Sequence, residues 1–221
     1  MIYGELPLRI FSGVLLGFLT FIALFASAMS FFALVIILAL LMYSEWLELT
    51  EEFPFANRVG GLFYVGIPVW SIIVLRDAPM PSVEDVATTP YYVLFLFLIV
   101  IATDIGGYVV GKSFGKHKLA PVISPGKTWE GAFGGILFSV SAAVIFSLVK
   151  PEHMSFVNAL WQSMLLSMVA QSGDLFESWI KRKAGVKHSG TLMPGHGGLL
   201  DRVDGLVFAA PVYALMVLPS Y

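Results

Sequence analysis

The chain has 221 residues, 57% of them hydrophobic and 13% charged, with a mean hydropathy of +0.84. Soluble domains carry roughly 25% charged residues, so the composition excludes a soluble domain with an apolar core and indicates an integral membrane protein. Cysteine is absent, which excludes disulfides, thiolate metal sites and a cysteine nucleophile. The net charge of −2 points to no partner.

A spanning helix needs about 20 apolar residues. Seven candidate spans follow in chain order: Leu8 to Ala26, Ser30 to Leu49, Val59 to Leu75, Tyr91 to Val110, Gly131 to Val149, Phe156 to Ile180, and Leu206 to Leu218, the last beginning as early as Asp201. The expected fold is therefore all-α, a polytopic transmembrane helical bundle of about seven spans. The first segment, MIYGELPLRIF, has no basic n-region and runs into an apolar stretch without a small-residue cleavage site, which reads as a retained span. Almost nothing separates the first two spans around Ser27 to Ser30, so they should form a tight antiparallel hairpin. Pro54, Pro79, Pro81, Pro121, Pro125, Pro151 and the Gly-rich 195–198 stretch break the others. No internal repeat or inverted symmetry of the transporter kind is visible.

Charge fixes the expected orientation. With a cytoplasmic N-terminus, eleven of the thirteen Lys and Arg residues fall on the cytoplasmic side, and only Arg76 and Lys150 on the other. Two basic loops, 111–130 and 181–205, then face the cytoplasm together.

The second of these loops opens a polar stretch, Ser178 to Asp204, with Lys181, Arg182, Lys183, Lys187, Arg202 and several glycines in an otherwise apolar chain. Ionisable groups at membrane depth are costly and by default functional. Asp174, Ser178 and Lys181 share a helix face at i, i+4 and i+7; the plainer reading of Asp174 is an interfacial acid paired with Lys181. Asp201 and Asp204, three apart, start the last span, where acids also favour a helix N-terminus for dipole reasons alone. Three carboxylates beside cations suit a hard divalent ion carrying a phosphate, Mg²⁺ rather than zinc. Gly195, His196, Gly197 and Gly198 offer close backbone approach and an anion site at a helix start, or a loop histidine with a structural hydrogen bond.

The first basic loop reads DIGGYVVGKSFGKHKLAPVISPGKTWEG from Asp104, itself within a span. A Walker A reading of Gly126 to Thr128 fails, because Pro121 stands where a glycine is needed and no strand precedes it. Ser124, Lys127 and Thr128 remain phosphate contacts, or a capped helix start with Glu130 in its first turn. Glu45, Glu48, Glu51 and Glu52 are expected to be mostly solvated. Trp46, Trp70, Trp129, Trp161 and Trp179 read as interfacial anchors, and Gly131 and Gly135 as a helix-packing face.

Taken together, Ser178, Lys181, Arg182, Lys187, Pro194, His196, Gly197, Gly198, Asp201, Arg202 and Asp204 resemble the signature of the phosphatidate cytidylyltransferase (CDP-diacylglycerol synthase) family. FGKHKLAP and SPGKTWEG are similar to the family as well, so the resemblance covers about 104–211. Two positions depart: His188 stands where the family has Asp, and Met193 where it has Leu, Ile or Phe. Bacterial members are commonly longer at the N-terminus, which leaves the full span count open.

The resemblance implies that CTP and phosphatidic acid react to CDP-diacylglycerol and pyrophosphate. It also implies a Mg²⁺ requirement, with one or two cations, a homodimer, and a site facing the cytoplasm from a bacterial inner membrane. Membrane lipids are the expected surroundings and nucleic acid is not an expected partner. Residues 1–100 become N-terminal helices for dimerisation and a lipid groove, and 101–221 the catalytic region. The expected roles are metal binding for Asp174, Asp201 and Asp204, and phosphate neutralisation for Lys181, Arg182, Lys187 and Arg202. Ser178 positions a phosphate or the metal, and Asp104, Ser124, Lys127, Thr128, His196, Gly197 and Gly198 line the substrate site. A CTP-dependent polyprenol kinase is the alternative enzyme, and a transporter relaying through Asp104 and Asp174 the alternative of another class.

Overall fold

The computed structural model describes residues 5–78, 90–150, 154–190, 192 and 197–218, with side chains from residue 13 onward. Seven helices and one short hairpin follow in order: α1 Glu5–Ala26, α2 Ala28–Leu49, α3 Phe55–Asp77, α4 Tyr91–Phe114, β1 Lys118–Ala120, β2 Ser124–Thr128, α5 Trp129–Val149, α6 Phe156–Lys183 and α7 Leu200–Val217. Each expected span is a helix. The fold is an all-α membrane bundle, and four helices (α2 to α5) are both long and apolar enough to cross a membrane.

The differences from the expected spans have one cause. Hydropathy trims polar turns that the backbone keeps helical, so α6 runs on to Lys183 and α7 begins at Leu200. Helix α6 is polar because it is central: Gln162, Ser163 and Ser167 are buried against other helices, where a lipid-facing helix would present apolar groups. Thr103 Oγ1 lies 2.9 Å from Ser167 Oγ, and the Gln171 amide donates to the Ala132 carbonyl at 3.3 Å. Between α1 and α2 a single residue suffices. Ser27 accepts from the Ser30 N–H at 3.0 Å and Ser30 accepts from the Ser27 N–H at 3.1 Å, a reciprocal cap that starts α2 at once.

Helices α4 and α5 form the most extensive pair in the bundle. Glycines on both sides let their backbones approach, as the small-residue face of Gly131 and Gly135 implied. A Cβ on Gly106 would lie 2.5 Å from the Gly134 carbonyl oxygen, and one on Gly134 would lie 2.4 Å from Val110 Cβ. This seam holds Asp104 of α4 opposite the start of α5.

The 111–130 loop contains strands that local pattern does not announce. Lys118 pairs with Thr128 and Ala120 with Ser124, antiparallel. Two prolines and no apolar alternation hide them; the pairing is closed instead by Glu130, which accepts from the Lys116 and His117 N–H groups at 3.1 and 3.2 Å and meets the His117 ring at 2.6 Å. A strand therefore does precede Gly126 to Thr128, although Pro121 still rules out a Walker A loop. Thr128 caps α5 by accepting from the Gly131 N–H at 3.1 Å.

Because the helices alternate in direction, the α2–α3 turn, the hairpin and the α6–α7 loop gather at one end. The Arg182 guanidinium donates to the Ile123 carbonyl at 3.2 Å, tying the two basic loops together. Replacing Gly106 by Val should cost about 1–3 kcal/mol through overpacking of the α4–α5 seam. Gly107→Ala should be near neutral, since its Cβ would meet the Gly131 oxygen at 3.7 Å; thermal unfolding in detergent separates the two.

Candidate active site

A cavity of about 540 Å³ opens between α4, β2, α5 and α6, lined among others by Asp104, Ser124, Lys127, Thr128, Gln171 and Asp174. Lys127 reaches from β2 to form an ion pair with Asp174 on α6. Ser178 lies one turn on, its hydroxyl 3.4 Å from Asp174 Oδ1. The partner of Asp174 is thus Lys127 from the other basic loop, in place of Lys181. Asp104 is open to the cavity. Ten residues separate it from the end of α4, a depth of about 15 Å at the rise of a helix.

Lys181 is committed elsewhere. The residue is 8% exposed, and its ammonium lies 3.0 Å from Glu177 Oε1 and 2.5 Å from Asp201 Oδ1. The other oxygen of Asp201 accepts from the Ser189 N–H at 3.1 Å and the Gly198 N–H at 3.0 Å. His188 Nδ1 stands 3.6 Å from the same oxygen, so the residue that departs from the family signature still faces this acid. Asp204 takes the N–H of Gly205 at 2.7 Å and lies in the electrostatic field of Asp174, Glu177 and Asp104.

The expected trio is therefore divided. Asp104 and Asp174 line the cavity, Asp204 lies near enough to feel their charge, and Asp201 turns toward Lys181 and the loop. Among the described residues no group of three or more His, Asp or Glu side chains is arranged as a metal cluster. Three residues apart on a helix is a 300° rotation, which leaves neighbouring side chains room to choose different partners.

The remaining predicted residues take varied places. Thr128 is buried and occupied as a helix cap, whereas Ser124 stays partly open on the cavity. Arg182, Lys187 and Arg202 are exposed at the loops, and Arg202 acts electrostatically on Asp104. Gly197 has φ of 92°, a conformation that favours glycine, and a Cβ there would fall 2.8 Å from Asp201 Oδ2. His196, with Met193, Pro194 and Gly195, lies outside the described residues.

Two acids escaped the sequence reading. Glu48, Glu51 and Glu52 are exposed as expected, but Glu45 is fully buried. It accepts from the Leu199 N–H at 2.7 Å, the Leu200 N–H at 2.9 Å and the Ser189 hydroxyl at 3.3 Å. Glu177 is fully buried as well, with Oε2 lacking a hydrogen-bond partner. A signal was present: Met42, Glu45, Trp46 and Leu49 form one i, i+3, i+4, i+7 stripe, and an acid within an apolar stripe is an acid inside. The same stripe corrects Trp46, which is buried and donates to the Asn57 carbonyl at 2.9 Å instead of anchoring at an interface.

On the far side of the acids an apolar groove of about 820 Å³ runs between α2, α3, α6 and α7, walled by Trp46, Phe63, Tyr64, Phe176, Trp179 and Phe208. The rings of Trp46 and Tyr64 are 4.5 Å apart and those of Tyr64 and Phe176 5.8 Å. Tyr64 lies in the field of Glu177, Asp204 and Asp174, so the groove borders the carboxylates.

The sequence model of the cytidylyltransferase family matches residues 52–219. The chain belongs to this family. Proteins named phosphatidate cytidylyltransferase are among its relatives. That of Staphylococcus epidermidis is 49% identical over 129 residues, 58% of this chain and 50% of that protein. That of Brucella suis is 45% identical over 179 residues, 80% and 61% of the two, and that of Rickettsia prowazekii 38% over 213 residues, 93% and 89%. The match thus spans only about half to three fifths of the first two relatives. The segment matched by the family includes every carboxylate of the cavity and both basic loops, but not Glu45.

Lys181→Met should be severely destabilising, by about 3–5 kcal/mol, because it leaves two buried carboxylates without their cation. Lys183→Met, which removes only an exposed ammonium 4.1 Å from the Trp179 ring, should cost below about 1 kcal/mol. Denaturant unfolding in detergent micelles measures both.

Proposed function

We propose that this chain joins CTP to phosphatidic acid, giving CDP-diacylglycerol and pyrophosphate, at the cytoplasmic face of a bacterial inner membrane. The observation that carries the reading is the Lys127–Asp174 pair, which brings a cationic, glycine-containing hairpin onto an acidic cluster inside an apolar bundle. The cavity has the size of a small-molecule site. The aromatic groove on the other side of the acids suits an acyl chain, and the names of the relatives agree with both substrates.

In this reading an anionic oxygen of the lipid phosphate attacks the α-phosphorus of CTP. The bond from that phosphorus to the bridging oxygen breaks, and pyrophosphate leaves. Little general-base work is required, because the nucleophile is already ionised. The difficulty is repulsion between anions, which fixed cations relieve. Lys127, held in place by Asp174, meets a phosphate in the cavity, assisted by Ser124. Arg182, Lys187 and Arg202 at the loops attract the nucleotide and offset the charge of the departing pyrophosphate. Lys181, shared between Glu177 and Asp201, organises the loop and leaves phosphate contact to the exposed cations.

Among the described residues no group of three carboxylates is assembled for a metal, so a Mg²⁺ ion would rest on one or two carboxylates and the substrate phosphates. Asp174, Asp204 and Asp104 are hard oxygen ligands in one another's field, and the buried Glu177 Oε2 lacks a partner. Asp174 and Asp204 would hold the ion, with Asp104 alongside. When bound, it supplies charge neutralisation of the phosphates. A homodimer in the bilayer is part of the same reading.

Purified protein in mixed micelles should release pyrophosphate only when CTP and phosphatidic acid are both present. Release of CDP in place of pyrophosphate would overturn the reading in favour of a lipid kinase. Lys127→Met and Asp174→Asn should each lower turnover by about 10²–10³-fold, the scale of removing a fixed charge-stabilising group. The double variant should lose little more than either single one, because the two side chains act as a pair.

A further inference from the structure

Glu45 sits on α2, outside the family-matched segment, yet its carboxylate holds both flanks of the α6–α7 loop. Oε1 accepts from Leu199 N–H, and Oε2 from Leu200 N–H and from the Ser189 hydroxyl. Gly190 and Gly198 pass so close that a Cβ would fall 2.9 Å and 2.6 Å from its oxygens. Asp201 grips the same two flanks from the other side, through the N–H groups of Ser189 and Gly198. The two ends of the 189–198 loop are thus clamped between a carboxylate of α2 and a carboxylate of α7.

We infer that Glu45 is a positioning residue of the reaction, fixing this loop so that Asp201 and Lys181 keep their place beside the acidic cluster. It touches no substrate. Its acceptance of two N–H groups at the start of α7 satisfies donors that the helix leaves without intrahelical partners, and its charge matches the positive end of that helix. Glycine at 190 and 198 is the counterpart of the same contact, since any side chain at either position would displace the carboxylate. The inference rests on the proposed reaction for its kinetic part only.

The test uses full-length protein carrying Glu45→Gln. The glutamine keeps the shape and one acceptor oxygen, but turns an NH₂ group toward an N–H or hydroxyl that needs an acceptor. The chain has no cysteine, so Leu192→Cys, at an exposed loop position, accepts a single nitroxide label. Glu45→Gln should raise the mobility of that label and lower kcat by about 10²-fold, the scale of a misplaced site. The KM for CTP should rise less than kcat falls, because Ser124 and Lys127 of the cavity belong to the other basic loop and keep their places.

Ser189→Ala removes one arm of the clamp and should give a smaller change in the same two readouts. An unchanged label spectrum in both variants overturns the inference. So does a loss of kcat that only follows the loss of folded protein in Glu45→Gln while Ser189→Ala is wild-type in both readouts. Should the parent protein release no pyrophosphate, the proposed function fails, and the label mobility still decides whether Glu45 holds the loop.

Discussion

Carboxylates inside an apolar bundle have to be neutralised, and this requirement organises the molecule. Asp104, Asp174, Glu177 and Asp204 lie in one another's field, where the low dielectric magnifies repulsion. Two lysines answer them by different routes. Lys181 comes from the same helix as Glu177 and is buried with it. Lys127 comes from the hairpin between α4 and α5, and can reach Asp174 only because the glycine seam draws those two helices together. The seam and the hairpin bring Lys127 to Asp174, and α6 carries Asp174 together with the Glu177–Lys181 pair.

The same acids separate two environments. On one side the cavity is lined by hydroxyls, two lysines and carboxylates; on the other the groove is walled by aromatic rings. Gly173 makes this division thin, since a Cβ there would meet the Asp204 carbonyl oxygen at 2.6 Å and Phe208 Cβ at 3.0 Å. A reaction between a water-soluble nucleotide and a lipid phosphate needs a polar and an apolar compartment sharing one charged wall. Helix α6 supplies such a wall, with Asp174 lining the cavity and Phe176 the groove.

The loop between α6 and α7 has a different logic. Arg182, Lys187 and Arg202 stay exposed, while Asp201 is spent on backbone N–H groups and Lys181. The pattern Asp-Arg-any-Asp thus divides its labour along a single turn. Asp201 fixes the loop, Arg202 acts on the cavity through its charge, and Asp204 joins the acidic cluster. Glycine at 197 and 198 is required because the carboxylates of Asp201 and Glu45 come too close for a side chain.

Hydropathy, helix length and the clustering of charge in two segments determined the helical bundle and its two basic loops. These are one-dimensional properties, since a lipid-facing helix must be apolar along its length and a functional charge cluster interrupts it visibly. The signature from Ser178 to Asp204 determined the family for the same reason: its residues are bound to their spacing. Partnership was decided only in three dimensions. Spacing offered Lys181 to Asp174, but the hairpin delivered Lys127, and Glu177 and Asp201 took Lys181. Glu45 lies more than 140 positions from Leu199 and Ser189, so no local pattern joins them. A contact of that kind exists only after packing brings α2 against the start of α7 and excludes the water that would otherwise solvate the acid.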